Sequence, residues 1–217
     1  MKAVRPVKTT RPAHHRTTLG MRQKEETRAR IIESAIPVFA QHGPDAPVVN
    51  DFIQAAGIAR GTFYNYFQTT RELLDAVLAA LSDDLIAAIH PAVAAMPNPI
   101  VRLATAARIF YRRASTDPLL GRFLSSVSGV GSLANERVHA DLGEALKAGL
   151  IKVPDLDLAH AVATGIMVFA LKSTEANPGD IQASDQRGLE VVRAILNGLG
   201  VSPALVRETL AVQLPEL

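Results

Sequence analysis

Residues Asp51–Phe67 read DFIQAAGIARGTFYNYF and hold five of the chain's ten aromatic residues, Phe52, Phe63, Tyr64, Tyr66 and Phe67. The pattern is helix, glycine turn, short helix. Gly57 supplies the turn, because glycine adopts positive φ without steric cost. Phe63 and Phe67 are four residues apart and so share a helical face. The opposite face of the short helix carries Arg60, Thr62, Tyr64, Asn65 and Tyr66. A buried aromatic side and an exposed polar side are what a helix needs to lie rigidly in a DNA major groove.

Outward from this stretch, the preceding residues predict a first helix over about Arg22–Gln41. Ile31, Ile32, Ala35, Ile36 and Phe39 form its apolar stripe. Pro37 is expected to kink that helix, since proline removes a donor and crowds the previous turn. Gly43 can end it. A second helix is expected from Pro47, with Val49, Phe52 and Ile53 facing inward. The third is expected over Ala59–Tyr66. Phe39, Phe52, Phe63 and Phe67 can then build the core of a three-helix unit.

The rest reads as helix after helix. A long one is expected over Arg71–His90, broken by the proline-rich cluster His90–Pro99. Further helices are expected at Ile100–Ala114, Pro118–Val127, Leu133–Ala148, Leu156–Lys172, Ser184–Leu199 and Pro203–Val212. Gly129–Gly131 marks a turn or bend, and Asn177–Pro178–Gly179 a loop. Alternating strand patterns are scarce. The fold class is all-α, with nine or ten helices and three segments. These are a basic, disordered arm (1–20), a helix-turn-helix domain (21–70) and a helical domain (71–217).

Charge distinguishes the two ends. Residues 1–30 carry nine Lys or Arg and two acids, whereas the remaining 187 carry fourteen and nineteen. A basic end on an acidic body is expected to meet a polyanion at one end only. The arm lacks large apolar residues to insert into a bilayer, so nucleic acid is favoured over membrane. It is either a solvated tail or an arm that adds phosphate or minor-groove contacts. No apolar run approaches the roughly twenty residues of a membrane span, and no signal-peptide core is present. The expected location is the cytoplasm.

Cysteine is absent, which excludes disulfides, thiol catalysis and thiolate metal sites. His14 and His15 are too isolated to suggest a metal site. His42, His90, His139 and His160 fall in different helices without diagnostic acid spacing, and no phosphate-binding glycine loop occurs. No enzyme, metal or cofactor is expected.

On the reading helix, Arg60 can pair with guanine or phosphate, and Thr62 offers a hydroxyl and a methyl to a base edge. Asn65 can read adenine or clamp the backbone. Tyr64 and Tyr66 can donate to phosphates, although Tyr66 also suits the helix junction. Gly61 allows close approach. Arg22 and Lys24 stand at the start of the first helix, where a phosphate contact competes with simple solvation.

These residues resemble the DNA-binding domain of the TetR family of transcriptional regulators. The resemblance starts with IIESAIPVFAQHG at Ile31–Gly43. It continues through VVNDFIQAAGIARGTFYNYFQTTRELL at Val48–Leu74. It implies a homodimer that binds an inverted-repeat double-stranded DNA operator, usually to repress transcription. Activation, or a helical adaptor that does not bind DNA, are the alternatives. By position, the family contacts DNA also at Val48 and Asn50, and near Thr70 or Arg71. Three positions depart from its pattern: Pro47 replaces a capping Thr or Ser, Ala59 replaces a serine, and Thr69–Thr70 replaces Ser–Lys.

The resemblance further implies that the second domain binds a small-molecule effector and dimerises. Candidate lining residues are Met96, Arg102, Ile109, Phe110, Arg113, Phe123, Val127, Met167 and Phe169; Met and Phe at helical spacing also suit ordinary core. An inward Arg102 or Arg113 would favour an anionic ligand or pair with an acid such as Asp84. The absence of tryptophan and the few aromatics favour a small or flexible apolar ligand. Candidate dimer residues are Ala161, Gly165, Val168, Leu189, Val192, Ile195 and Leu199, on two helices whose small residues allow close packing. The same residues also suit packing within one chain.

Overall fold

The computed structural model describes residues 14–126, 135–173 and 180–214. These form ten α-helices and, among the described residues, no strand. The expected turn at Gly129–Gly131, the loop at Asn177–Gly179 and most of the basic arm lie outside the described residues.

The first three helices make the head. α1 spans His14–His42 and so begins eight residues before the expected Arg22, taking in the end of the basic arm. It continues through Pro37 as one element. Its stripe Ile31, Ile32, Ala35 and Phe39 is buried. α2 spans Val49–Ala56 and starts two residues after Pro47. The Asp51 carboxylate accepts the Val48 N–H at 2.8 Å, the acidic half of a capping box, while the Asp51 N–H, which a hydroxyl cap would take, donates to the Val48 carbonyl at 2.9 Å. Gly57 ends α2 at φ 62°, and its N–H donates back to Gln54. α3 spans only Arg60–Tyr64; Asn65 and Tyr66 fall in the turn that follows.

Four phenylalanines hold the head together. Phe39 packs on Phe52 at 4.9 Å between ring centroids, Phe52 stacks on Phe63 at 6.5 Å, and Phe63 meets Phe67 at 6.1 Å. All four are buried.

α4, Thr70–Val93, leaves the head and runs into the body. At 1.5 Å per residue its 24 residues reach about 36 Å. Thr69 caps it by accepting the Glu72 N–H at 3.1 Å. By length and composition α4 could also cross a membrane, unlike any run noted in the sequence. Here it packs against α1 and α5 instead. It continues past His90 and through Pro91 before the proline-rich cluster ends it.

The body comprises α5 (Pro99–Thr116), α6 (Pro118–Ser126), α7 (Asn135–Lys147), α8 (Leu156–Lys172), α9 (Ile181–Gly198) and α10 (Pro203–Leu210). α5 is central and packs on α4, α6, α7, α8, α9 and α10. Gly198 lets α9 approach α8 closely: a Cβ there would come within 2.9 Å of Val162 Cγ1. Arg112 of α5 pairs with Asp185 of α9, at 2.8 Å through one guanidinium nitrogen. Arg108, buried beside it, donates to the Val212 carbonyl at 2.6 Å and ties down the end of α10. Burial lowers the Arg108 pKa from its ordinary value, an effect opposed by the nearby Asp185 carboxylate.

Head and body share one continuous core. Phe123 of α6, expected in a pocket, is fully buried against Phe39 of α1 at 6.4 Å. That ring pair is the aromatic joint between the two units.

Candidate nucleic-acid interface and effector cavity

The candidate DNA-contact residues belong to α1, α2, α3, the turn after α3 and the start of α4. Val48, Asn50, Arg60, Gly61, Tyr64, Asn65 and Arg71 are exposed, while Thr62, Tyr66 and Thr70 are half-buried. Phe63 anchors α3 from below, and the Tyr64 ring stands edge-on to it at 5.6 Å. The Arg60 guanidinium lies 5.9 Å from the Tyr64 ring centre, a cation–π contact that preorganises both side chains. Gln68 donates to the Tyr64 carbonyl at 2.9 Å and closes the end of α3.

A groove of about 520 Å³ separates α3 from residues 20–30 of α1, which begins at His14, so Arg22 and Lys24 stand well inside that helix and not at its start. Gln23, Lys24, Thr27 and Arg30 line one wall, Thr62 and Tyr66 the other. Tyr66 therefore borders the junction between α1 and α3. Arg30 stands in the basic run Arg22, Lys24, Arg28, Arg30 of the sequence, whereas Gln23 and Thr27 had not been singled out, although their i, i+4 spacing could have shown a polar stripe. Arg22 pairs instead with Glu26 at 3.0 Å, and Arg71 with Asp75 at 3.1 Å. Both pairs are exposed, and such pairs contribute at most about 1 kcal/mol, so either arginine can turn to a phosphate at little cost.

The body contains a cavity of about 340 Å³ bounded by α4, α5, α7, α8 and α9. Of the sequence candidates, Arg102, Phe110 and Met167 line it. The others sit elsewhere. Met96 is half-buried beside Leu85, Ile89 and Val93. Ile109 is fully buried in the same small cluster, and Phe123 belongs to the joint with the head. Arg113 is exposed, and Phe169 is 74% exposed. Val127 lies outside the described residues. Periodicity marked these side chains as apolar but carried no information on which helices part to leave a space.

Most of the wall was unforeseen. α4 contributes Ile86, Ile89, His90 and Val93, and α7 contributes Arg137, Val138 and Asp141. Arg102 turns inward as considered, but its partners are on α7, not at Asp84. It bonds Asp141 at 2.9 Å, Glu144 at closer range, and the carbonyls of Met96 at 2.9 Å and Pro97 at 3.2 Å. Burial raises the Asp141 carboxyl pKa above its ordinary value, and Arg102 opposes that rise.

The dimer candidates also divide. Val192, Ile195 and Leu199 are buried within their own chain, and Ile195 and Val168 border the cavity. Ala161 is exposed, and Gly165 and Leu189 are half-buried. The outward side of α8 instead presents Leu158, 43% exposed, and Phe169, with half-buried Gly165 between them. Their i, i+7, i+11 spacing places them on one face.

A helix-turn-helix head joined by a long helix to a hollow helical body defines a DNA-binding transcriptional regulator. The model of bacterial regulatory proteins of the tetR family matches residues 31–77. The model of the tetracyclin repressor-like C-terminal domain matches residues 98–211, more than half of the chain. The chain belongs to the tetR family.

Relatives agree. The transcriptional repressor KstR2 of Mycobacterium tuberculosis (strain ATCC 25618 / H37Rv) is 33% identical over 81 residues, covering 37% of this chain and 40% of KstR2. The regulator SrpR of Pseudomonas putida is 40% identical over 58 residues, 27% of each chain. These matches span two fifths or less of the curated relatives. Among solved structures, RolR in complex with resorcinol is 28% identical with a TM-score of 0.68, covering 90% of this chain and 98% of RolR. FadR of Bacillus subtilis in complex with stearoyl-CoA shares the fold at 18% identity and a TM-score of 0.60, covering 78% and 98%.

Proposed function

We propose that this chain is a ligand-responsive repressor that binds an inverted-repeat operator as a homodimer in the cytoplasm. It acts by binding and not by catalysis. One observation carries the reading: α4 begins at the DNA-facing side and ends as a wall of the cavity. Thr70 and Arg71 stand at its head end, and Ile86, Ile89, His90 and Val93 at its cavity end. A ligand that prefers one position of α4 shifts the population of head orientations, and with it the fit of two heads to two half-sites.

The outward face of α8 supports the homodimer. Phe169 and Leu158 form an exposed apolar face that a second copy of the same face would bury, and Gly165 leaves its centre open to close approach. Phe169→Glu is expected to convert the dimer to monomer in analytical ultracentrifugation at micromolar concentration, and to abolish tight binding of a palindromic site. A variant that remains a dimer would remove α8 from the interface. A monomer that still binds the palindrome tightly would overturn the dimeric reading.

The cavity is suited to a compact, largely apolar effector. RolR's complex with resorcinol, in a protein 28% identical over most of this chain, supports a small cyclic ligand. Repression and activation share the same DNA contacts, so a promoter–reporter fusion with and without the gene separates them. Raised expression on deletion is the expected result; a fall would make the protein an activator.

A further inference from the structure

On the effector-cavity reading above, we infer that the effector is a neutral molecule whose hydroxyl donates a hydrogen bond to Asp141, not an anion held by Arg102.

Arg102 is the half-buried cation an anionic ligand would seek, but its donors are already taken. Nε bonds Asp141 Oδ1 at 2.9 Å, Nη1 bonds the Met96 and Pro97 carbonyls, and Nη2 reaches Asp141 and Glu144. A ligand carboxylate would have to displace one of two carboxylates already in place. It would then face the other at short range, a like-charge repulsion. Arg137, the second cation on the wall, is exposed, so water already solvates its charge.

Asp141 is different. Both of its bonds to Arg102 use Oδ1, and among the described residues Oδ2 accepts none. Its residue borders the cavity, and its burial disfavours the charged carboxylate. A hydroxyl donor at Oδ2 would relieve that cost, because a hydrogen bond to the charged form stabilises it. Thr164, also on the wall, donates its hydroxyl to the His160 carbonyl at 2.7 Å and retains oxygen lone pairs for a second donor. The remaining wall is aliphatic, from Ile86, Ile89, Leu103 and Val138, with Phe110 and Met167. At about 30 Å³ per water, the cavity displaces on the order of ten waters, space for a ring with a short apolar chain.

The test is calorimetric titration of the full chain with three probes of one shape. They are 4-hexylresorcinol, its dimethyl ether, and the carboxylate anion of 4-hexylbenzoic acid. Hexylresorcinol is expected to bind roughly ten- to hundredfold tighter than the ether, the difference of a hydrogen bond to a charged acceptor. It is also expected to bind tighter than the benzoate. Thr164→Val keeps the side-chain shape and is expected to shrink the advantage over the ether; Asp141→Asn is expected to remove most of it. Equal binding of the ether, or tighter binding of the benzoate, would overturn the inference while leaving the cavity as an effector site. Failure of all three to bind would overturn both. An undiminished advantage in both variants would also overturn it.

Discussion

Replacing Phe39 with alanine is expected to destabilise the protein by about 3–5 kcal/mol, the range for emptying a buried aromatic site. Phe39 is fully buried and touches Phe52 within the head and Phe123 in the body. The cavity left behind would open on both units at once. Surrounding helices cannot collapse into it without moving α1 against α6. Denaturant unfolding followed by circular dichroism measures the loss. Phe123→Ala is expected to approach it, and the double variant to lose less than the sum, because the two rings share one contact. A loss below about 1 kcal/mol for Phe39→Ala would mean that the joint is not packed as described.

The second large effect concerns DNA. Thr62→Ala combined with Tyr64→Ala is expected to weaken specific operator binding on the order of 100-fold, from contacts worth about 1–3 kcal/mol each. Thr62 is half-buried on the groove wall and Tyr64 is 37% exposed, so neither supports the core as Phe63 does. The helical circular-dichroism signal should stay nearly unchanged. Fluorescence anisotropy on a labelled operator measures the affinity. Unchanged affinity would remove α3 as the reading helix, whatever the family resemblance implies.

The head was highly legible in the sequence. Its aromatics alternate between a buried row and an exposed face at helical spacing, and Gly57 marks the turn between α2 and α3. Local chemistry decides such features, so they can be read locally. The start of α1 was not legible, because Pro, Thr, His and Arg up to Gly20 suggested a tail while the helix begins at His14. The short span of α3 was also hidden: Asn65 and Tyr66 continue the helical pattern, but the Gln68 contact to the Tyr64 carbonyl closes the turn after it.

The cavity was the least legible part. Phe110 and Met167 line it while Ile109 and Phe123 do not, although all four are apolar residues on helices. A space depends on how helices diverge, which no single helix encodes. The same reason separates Phe169, exposed on α8, from Val192 and Leu199, buried on α9 and at its end. Gly198 of α9 packs closely on Val162 and Ile166 of α8 within one chain, whereas Gly165 of α8 meets nothing there.

Selection of bound sequences from a random double-stranded DNA pool tests the central claim most directly. The account predicts enrichment of an inverted repeat, with half-sites spaced for two heads of one dimer, about one helical turn or a multiple apart. It also predicts that the Thr62→Ala, Tyr64→Ala protein fails to enrich that repeat. Selection of no common sequence by the unaltered protein, or of the same repeat by the double variant, would contradict it.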